Sequence, residues 1–322
     1  MRILVVGAGA TGGYFGALLA HAGRDVSFLV RPARAASLRS RGLRITGRGT
    51  EDWARLEPRL VLAEELAAGS PAPYDLILLA VKATTLDESI EAIRPAVGPS
   101  TVILPFLNGL SHLGRLGAEF GSDAVLGGTV KVVTKLTPEG DIMRTAPVSE
   151  LTFGEQAGGP SERVTALREV LDAPGIDAVA STDVLGAMWS KWAFITTIGA
   201  LTCLGRGTVG DVCAVPGGAE LGPALLAEAA AVAEAAGHPV PEADLAMTKT
   251  MVTAEGSPLV PSLYRDVVEG RATEAEHLFG ELTDRARASG IATPLLDLAL
   301  LQLRVHEGRL AAASAAGGGS GA

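Results

Sequence analysis

Met1-Arg2-Ile3-Leu4-Val5-Val6-Gly7-Ala8-Gly9-Ala10-Thr11-Gly12 opens the chain and decides how the rest is read. Residues 3–6 are consecutive apolar side chains rich in β-branching, the pattern of a strand buried on both faces of a parallel sheet. A Gly7-x-Gly9-x-x-Gly12 turn follows at once and would feed a helix over about residues 12–22. In such a turn Gly7 permits the tight bend, Gly9 lets the backbone approach a pyrophosphate, and Gly12 lets helix and strand pack closely. The helix N-terminus then offers its free N–H groups to the anion. Gly7, Ala8, Gly9, Ala10, Thr11 and Gly12 are therefore candidate dinucleotide contacts. The glycine pattern alone is weak, and it becomes much more specific directly after a strand.

Working outward, Asp25-Val26-Ser27-Phe28-Leu29-Val30 reads as the second strand and ends at Arg31. A fold that binds NAD usually places Asp or Glu near this point to hold the adenosine ribose. Here no carboxylate occurs from Val26 to Thr50, whereas Arg31, Arg34, Arg39, Arg41, Arg44 and Arg48 do. A guanidinium can clamp a 2′-phosphate with paired hydrogen bonds, so NADP(H) is favoured over NAD(H), with Arg31 at the strand's end as the candidate. Most of the other arginines read equally well as a solvated helix face.

Two further apolar strands end on polar residues. Tyr74-Asp75-Leu76-Ile77-Leu78-Leu79-Ala80-Val81 terminates in Lys82, and Ser100-Thr101-Val102-Ile103-Leu104-Pro105 leads to Phe106-Leu107-Asn108-Gly109. Ligands of open α/β sheets bind beyond the carboxyl ends of the strands, which places Lys82 and Asn108 where cofactor or substrate is met. Lysine is scarce, with 5 against 22 arginines, which makes its use at a strand end more telling. Asn108-Gly109 reads equally as a plain turn. Valine- and threonine-rich runs over 123–153, separated by Pro138-Glu139-Gly140, suggest antiparallel strands at the sheet's edge. A helix over 161–172 and a short strand over 176–180 close the domain.

From Ser181 the pattern turns helical. Ser181-Thr182-Asp183 is a capping signal, and residues 184–204 form a long apolar stretch poor in charge. Helices are expected over 218–236, 241–254, 262–269, 273–289 and 293–305, with Gly237, Gly256, Gly270 and Gly290 as stops. The tail from Ala311 to Ala322 is low-complexity Ala/Gly/Ser and is expected to be disordered. The domains are thus 1–181, 182–310 and the tail 311–322.

A chain of 322 residues accommodates two domains. A net charge of −9 makes nucleic acid an unsuited partner. Cys203 and Cys213 form neither a disulfide framework nor a metal-ligand spacing, as in an intracellular protein with reduced thiols. Glycines 7, 9, 12 and 13 interrupt the apolar run that otherwise has the form of a signal peptide, and no run of about twenty apolar residues points to a membrane span. The chain reads as soluble and cytoplasmic, with no membrane partner and no metal.

Lys191 is the only basic residue between Asp183 and Arg206. An ammonium is costly to bury unless paired, which makes Lys191 a functional candidate, although a lysine can also reach solvent along its stem. In Ser262-Leu263-Tyr264-Arg265-Asp266 and Thr273-Glu274, Ser262 and Thr273 read as helix N-caps. Glu274 in a first helical turn is favoured by the helix dipole without any catalytic task.

Taken together, these residues resemble the ketopantoate reductases (2-dehydropantoate 2-reductases) over nearly the whole chain. The glycine turn, Arg31, Lys82, Asn108-Gly109, Trp189-Ser190-Lys191 and the segment from Ser262 to Glu274 occur in that family's order and spacing. The resemblance implies an α/β fold with an N-terminal Rossmann-like doubly wound sheet, a C-terminal all-helical domain, and NADPH held in the cleft between them. It implies reduction of a 2-oxo acid, by default 2-dehydropantoate to pantoate, with Lys191 as general acid. Glu274 becomes an orienting catalytic residue, Ser262 a substrate contact, and Lys82 and Asn108 contacts to cofactor and substrate. Relatives with pantoate activity commonly carry Asn one and two turns after the lysine, where this chain has Ile195 and Gly199. Either Thr196, Thr197 or Thr202 compensates, or the substrate is a different, less polar carbonyl or imine compound. A non-catalytic NADP(H)-binding sensor is the alternative of another class, and a homodimer through the helical domain is compatible with the reading.

Overall fold

The computed structural model describes residues 1–47, 55–69 and 72–317; Arg48 lies outside them. Contacts divide the chain into two compact units, Met1–Ala187 and Met188–Ala322, so the division falls inside the long apolar helix.

The first unit runs β1 (Arg2–Val6), α1 (Ala10–His21), β2 (Asp25–Leu29), α2 (Pro32–Arg41), β3 (Ile45–Gly47), β4 (Arg59–Val61), α3 (Ala63–Ala67), β5 (Leu76–Leu79), α4 (Leu86–Ile93), β6 (Val102–Pro105), α5 (Ser111–Phe120), β7 (Gly127–Leu136), β8 (Ile142–Gly154), α6 (Glu162–Leu171) and β9 (Asp177–Ala180). Five strands make an all-parallel sheet in the order β4-β2-β1-β5-β6. Ile3, Leu4, Val5 and Val6 are buried because β1 is its central strand, covered on both faces. Arg2 stands opposite Asp25 on one side and Ile3 opposite Leu76 on the other. The chain leaves β1 first toward β2 and later returns to β5 on the opposite side, which makes the carboxyl end of β1 the switch point of the sheet.

The strands expected at the sheet's edge belong instead to a second sheet. Leu126 N–H still donates to the Ile103 carbonyl of β6 at 3.0 Å, but the chain then departs into β7. β7 pairs antiparallel with β8, with a bulge between Val132 and Thr134, and the far side of β8 takes β3 and β9 in parallel. The physical reason is α1, which packs against both sheets. A Cβ on Gly16 would meet the Phe28 ring of β2 at 2.5 Å, and one on Gly13 would meet Ile142 Cδ1 of β8 at 2.6 Å. Glycines on two sides of α1 let it lie close against each layer, and residues 12–19 are buried without a break.

The second unit contains most of α7 (Val184–Gly205), then α8 (Val209–Cys213), α9 (Gly218–Ala235), α10 (Glu242–Val252), α11 (Ser262–Val268), a π-helical turn (Glu276–Gly280) continuous with α12 (Glu281–Ala288), and α13 (Pro294–Gly317). Asp183 caps α7, its carboxylate accepting from Gly186 N–H at 3.0 Å. Gly237 and Gly290 follow α9 and α12 with φ of +84° and +70°, the left-handed conformation that ends a helix. α7 has the length and composition to cross a membrane, yet 61% of its apolar window is buried within the protein, as in a core helix. α13 runs to Gly317 through an alanine-rich stretch, and alanine is the strongest helix former. Residues 318–322 lie outside the described part.

Candidate active site

In the first unit the four strand ends read from the sequence meet on one edge. Gly7 follows β1, Arg31 follows β2, Lys82 follows β5 and Asn108 follows β6, all at the carboxyl side of the parallel sheet. Gly7 adopts φ +93°, closed to an L side chain without strain. A Cβ on Gly12 would fall 2.2 Å from the Gly7 carbonyl oxygen and 2.7 Å from Ala80 Cβ, so helix and strand touch at that point. A Cβ on Gly9 would meet nothing within 4 Å. Packing therefore does not require this glycine, and its missing side chain keeps the approach to the first turn of α1 clear, as a pyrophosphate needs. Gly9 caps α1 without a side chain, so the N–H groups of Ala10, Thr11 and Gly12 have no partner within the helix. These residues fit a dinucleotide phosphate.

Arg31 caps α2 and extends to Glu88 of α4, an ion pair of 2.6 Å whose side chains are 65% and 66% exposed. Sequence reading found no carboxylate near Arg31 along the strand. Glu88 arrives from another helix and gave no local signal. Arg34, one of the arginines that read equally well as a solvated helix face, is partly buried. Its Nε donates to the Ala8 carbonyl at 3.0 Å and its Nη1 to the Gly140 carbonyl at 3.0 Å, tying the glycine turn to the β7–β8 hairpin. Its Nη2 is buried without a hydrogen-bond partner. Burial lowers the Arg34 pKa from its usual value, while nearby Asp141 acts in the opposite sense. Lys82 is exposed and its carbonyl accepts from Thr85, which starts the next turn. Asn108 is half-buried and Gly109 has φ +75°, so the Asn-Gly turn and the strand-end position hold together.

In the second unit Lys191 is half-buried on α7 and is that helix's only basic residue. Its surroundings are fixed on several sides. Ser190 Oγ donates to Asp244 of α10 at 2.5 Å. The buried Trp192 donates its indole N–H to the Leu278 carbonyl at 2.9 Å. Trp189 packs 4.9 Å from Trp192 and stacks on His238, with the Arg285 guanidinium 5.6 Å and 5.8 Å from the two indole rings.

Leu278 belongs to the π-helical turn that begins just after Glu274. Such turns displace the regular i→i−4 ladder and recur at functional sites. Glu274 itself is half-buried and stands immediately ahead of the helix rather than within its first turn. The preceding Thr273 is anchored, since both its N–H and its hydroxyl donate to Glu307 of α13 at 2.7 Å. Ser262 is the first residue of α11, with Pro261 in the cap position; it is exposed and does not cap the helix. Its neighbour Leu263 and the π-turn residue Phe279 both reach α7 at Gly199, where a Cβ would lie 3.1 Å and 3.2 Å from them. α7, α11 and the segment after Glu274 are thus brought together.

The threonines of α7 do not offer their hydroxyl protons to a ligand. Thr196, Thr197 and Thr202 are fully buried, and each hydroxyl donates to a carbonyl one turn back at 2.8, 2.7 and 2.7 Å. Cys203 and Cys213 are free thiols, and burial pushes the Cys203 pKa up to about 12. Among the described residues no group of three or more His, Cys, Asp or Glu is placed to hold a metal ion.

The family model "Ketopantoate reductase PanE/ApbA" matches residues 3–158, and "Ketopantoate reductase PanE/ApbA C terminal" matches 183–307. The chain belongs to the ketopantoate reductase family. It is 32% identical to an uncharacterized oxidoreductase YkpB of Bacillus subtilis, over 95% of this chain and 99% of the relative. A 2-dehydropantoate 2-reductase of Mesorhizobium japonicum is 27% identical over 94% of this chain and 97% of its own length. The crystal structure of 2-dehydropantoate 2-reductase from Methylococcus capsulatus superposes with a TM-score of 0.83 at 28% identity, covering 96% of this chain and 98% of that one. The protein is an oxidoreductase of this family.

Proposed function

We propose that this chain reduces a 2-oxo acid to the 2-hydroxy acid, with Lys191 as the general acid. The observation that carries the reading is Lys191 itself, the one basic residue of an apolar helix and half-buried on it, its flanking residues held by Asp244 and by the Leu278 carbonyl. Bound NADPH would supply the hydride for the carbonyl carbon from its nicotinamide C4. As negative charge develops on the carbonyl oxygen, the Lys191 ammonium donates its proton there, and the lysine regains one from solvent. Glu274, carried on a segment anchored through Thr273 and Glu307, orients the reacting groups. Ser262 contacts the substrate. The glycine turn and Arg31 hold the cofactor, and Lys82 and Asn108 contact cofactor and substrate.

Ketopantoate is the first acid to test, because relatives that match over most of their length are named 2-dehydropantoate 2-reductase. NADPH absorbance should fall on addition of a 2-oxo acid. Lys191→Met should lower kcat by about 10²–10⁴, the worth of a positioned general acid, with NADPH affinity unchanged. Near-normal kcat in that variant would remove Lys191 from the chemistry. NADPH binding without turnover of any 2-oxo acid would leave a cofactor-binding protein and no reductase.

A further inference from the structure

We infer that the substrate is a 2-oxo acid whose side chain is apolar and carries no hydroxyl, and that Ile195 is the residue that selects it. The inference rests on the reductase reading. Ile195 and Gly199 lie four and eight residues after Lys191, so they share its helical face at about 6 and 12 Å along the axis. Ile195 is partly exposed, and the face beyond it is closed by Leu263 and Phe279, both buried, whose ends stand 3.1 and 3.2 Å from the Cβ position of Gly199.

The polar residues of the same helix do not soften this face. Thr196, Thr197 and Thr202 are turned into the helix and donate to its carbonyls. Ser262 has one proton to donate, and the substrate's carboxylate is a stronger acceptor for it than a hydroxyl. A molecule whose carbonyl oxygen meets Lys191 and whose side chain runs along α7 is met by hydrocarbon. A hydroxyl directed at that helix would leave water without a replacement partner on it.

A matched pair tests this. Ketopantoate is 4-hydroxy-3,3-dimethyl-2-oxobutanoate, and 3,3-dimethyl-2-oxobutanoate differs from it by the one hydroxyl. With NADPH and the full chain, the hydroxyl-free acid should have the larger kcat/KM by on the order of 10- to 100-fold, as hydrophobic sites achieve against an added hydroxyl. Ile195→Asn should move the ratio toward ketopantoate by about tenfold, and Ile195→Val should leave it in place. Unfolding curves for both variants separate a lost preference from a lost fold, and Ile195→Thr provides a second polar side chain if Asn is not tolerated. Faster turnover of ketopantoate by the wild type, or a ratio unmoved by both polar variants, overturns the inference and leaves the reductase reading standing. Failure to oxidise NADPH with either acid, or with phenylglyoxylate and 2-oxobutanoate, overturns both.

Discussion

Gly12 and Gly199 are both buried glycines inside helices, one in the proposed cofactor turn and the other two turns after Lys191. They differ in what surrounds them. The Cβ position of Gly12 faces a backbone carbonyl, Gly7 O at 2.2 Å, whereas that of Gly199 faces the ends of two side chains, Leu263 and Phe279, at 3.1 and 3.2 Å. The cofactor turn is built from main chain, and its shape is fixed by where backbone atoms touch. The Lys191 face is built from side chains on a regular helix, and single substitutions can rewrite it without altering the backbone. One half of the proposed reaction is therefore held constant by geometry, while the other half can change from one substrate to another.

The largest effect that sharpens this contrast should come from Gly12→Ala. A carbonyl oxygen cannot move aside as a side chain can, so overpacking of about 1–3 kcal/mol or more is expected. Thermal unfolding should shift down by roughly 2–4 °C for each kcal/mol, and NADPH binding should be lost with it. An unaltered melting temperature would show that helix and strand can separate there without cost. Gly9→Ala should behave differently although it lies three residues away. Its Cβ meets no protein atom within 4 Å and its φ is −83°, so stability should be unchanged. The methyl group would project toward the pyrophosphate, and the NADPH dissociation constant should rise about tenfold, or 1.4 kcal/mol. Equal loss of stability in both variants would erase the distinction between a packing glycine and a ligand-clearing one.

How much of this was legible in the sequence follows the same division. Gly7, Gly9 and Gly12 carry their roles in their spacing, because a backbone turn is a local object. Apolar runs that end on Lys82 and Asn108 likewise announced strand ends, since a buried parallel strand has to be apolar throughout. The position of Arg31 at a strand end was legible for the same reason, but its ion pair with Glu88 was not, because α4 brings Glu88 from a distant part of the chain. Arg34 was read as one of several solvated arginines, and only the fold places Ala8 and Gly140 around its guanidinium. The β7–β8 hairpin was legible as a pair of strands, and its membership of a second sheet was not, since that depends on α1 being thin enough to lie against both. In the helical unit Lys191 stood out by residue type, whereas Glu274 stood out only by family likeness. The inward turn of Thr196, Thr197 and Thr202 has no sequence signature, because threonine in a helix can donate to its own backbone or point elsewhere.

A smaller effect concerns cofactor choice. Arg31 and Glu88 form an exposed pair, and exposed pairs contribute about 0–1 kcal/mol. Glu88→Gln should therefore release Arg31 for a 2′-phosphate and remove a negative charge beside it, tightening NADPH by up to about fivefold and leaving NADH nearly unaffected. The gain should shrink as salt is added, because exposed charges are screened. A variant that tightens NADH instead would place Glu88 away from the 2′-phosphate.

The smallest effect should be Gly199→Ala, and it is the sharpest test of the contrast. Replacing glycine by alanine inside a helix gains about 1 kcal/mol in propensity. At Gly199 that gain is set against contacts of 3.1 and 3.2 Å with Leu263 Cδ2 and Phe279 Cζ, which are tight and have to give by a few tenths of an ångström. Leu263 can adjust its rotamer, while Phe279 is fully buried in the π-helical turn and has less freedom. The two contributions should nearly cancel, leaving unfolding within about 1 kcal/mol of the wild type and the preference between the matched acids intact. Gly199→Asn adds three further heavy atoms along the same direction, toward Leu263 and Phe279, and should destabilise by about 1–3 kcal/mol. A well-folded Gly199→Asn that also gains ketopantoate turnover would show that Leu263 and Phe279 yield, and that this face is more adaptable than its packing implies.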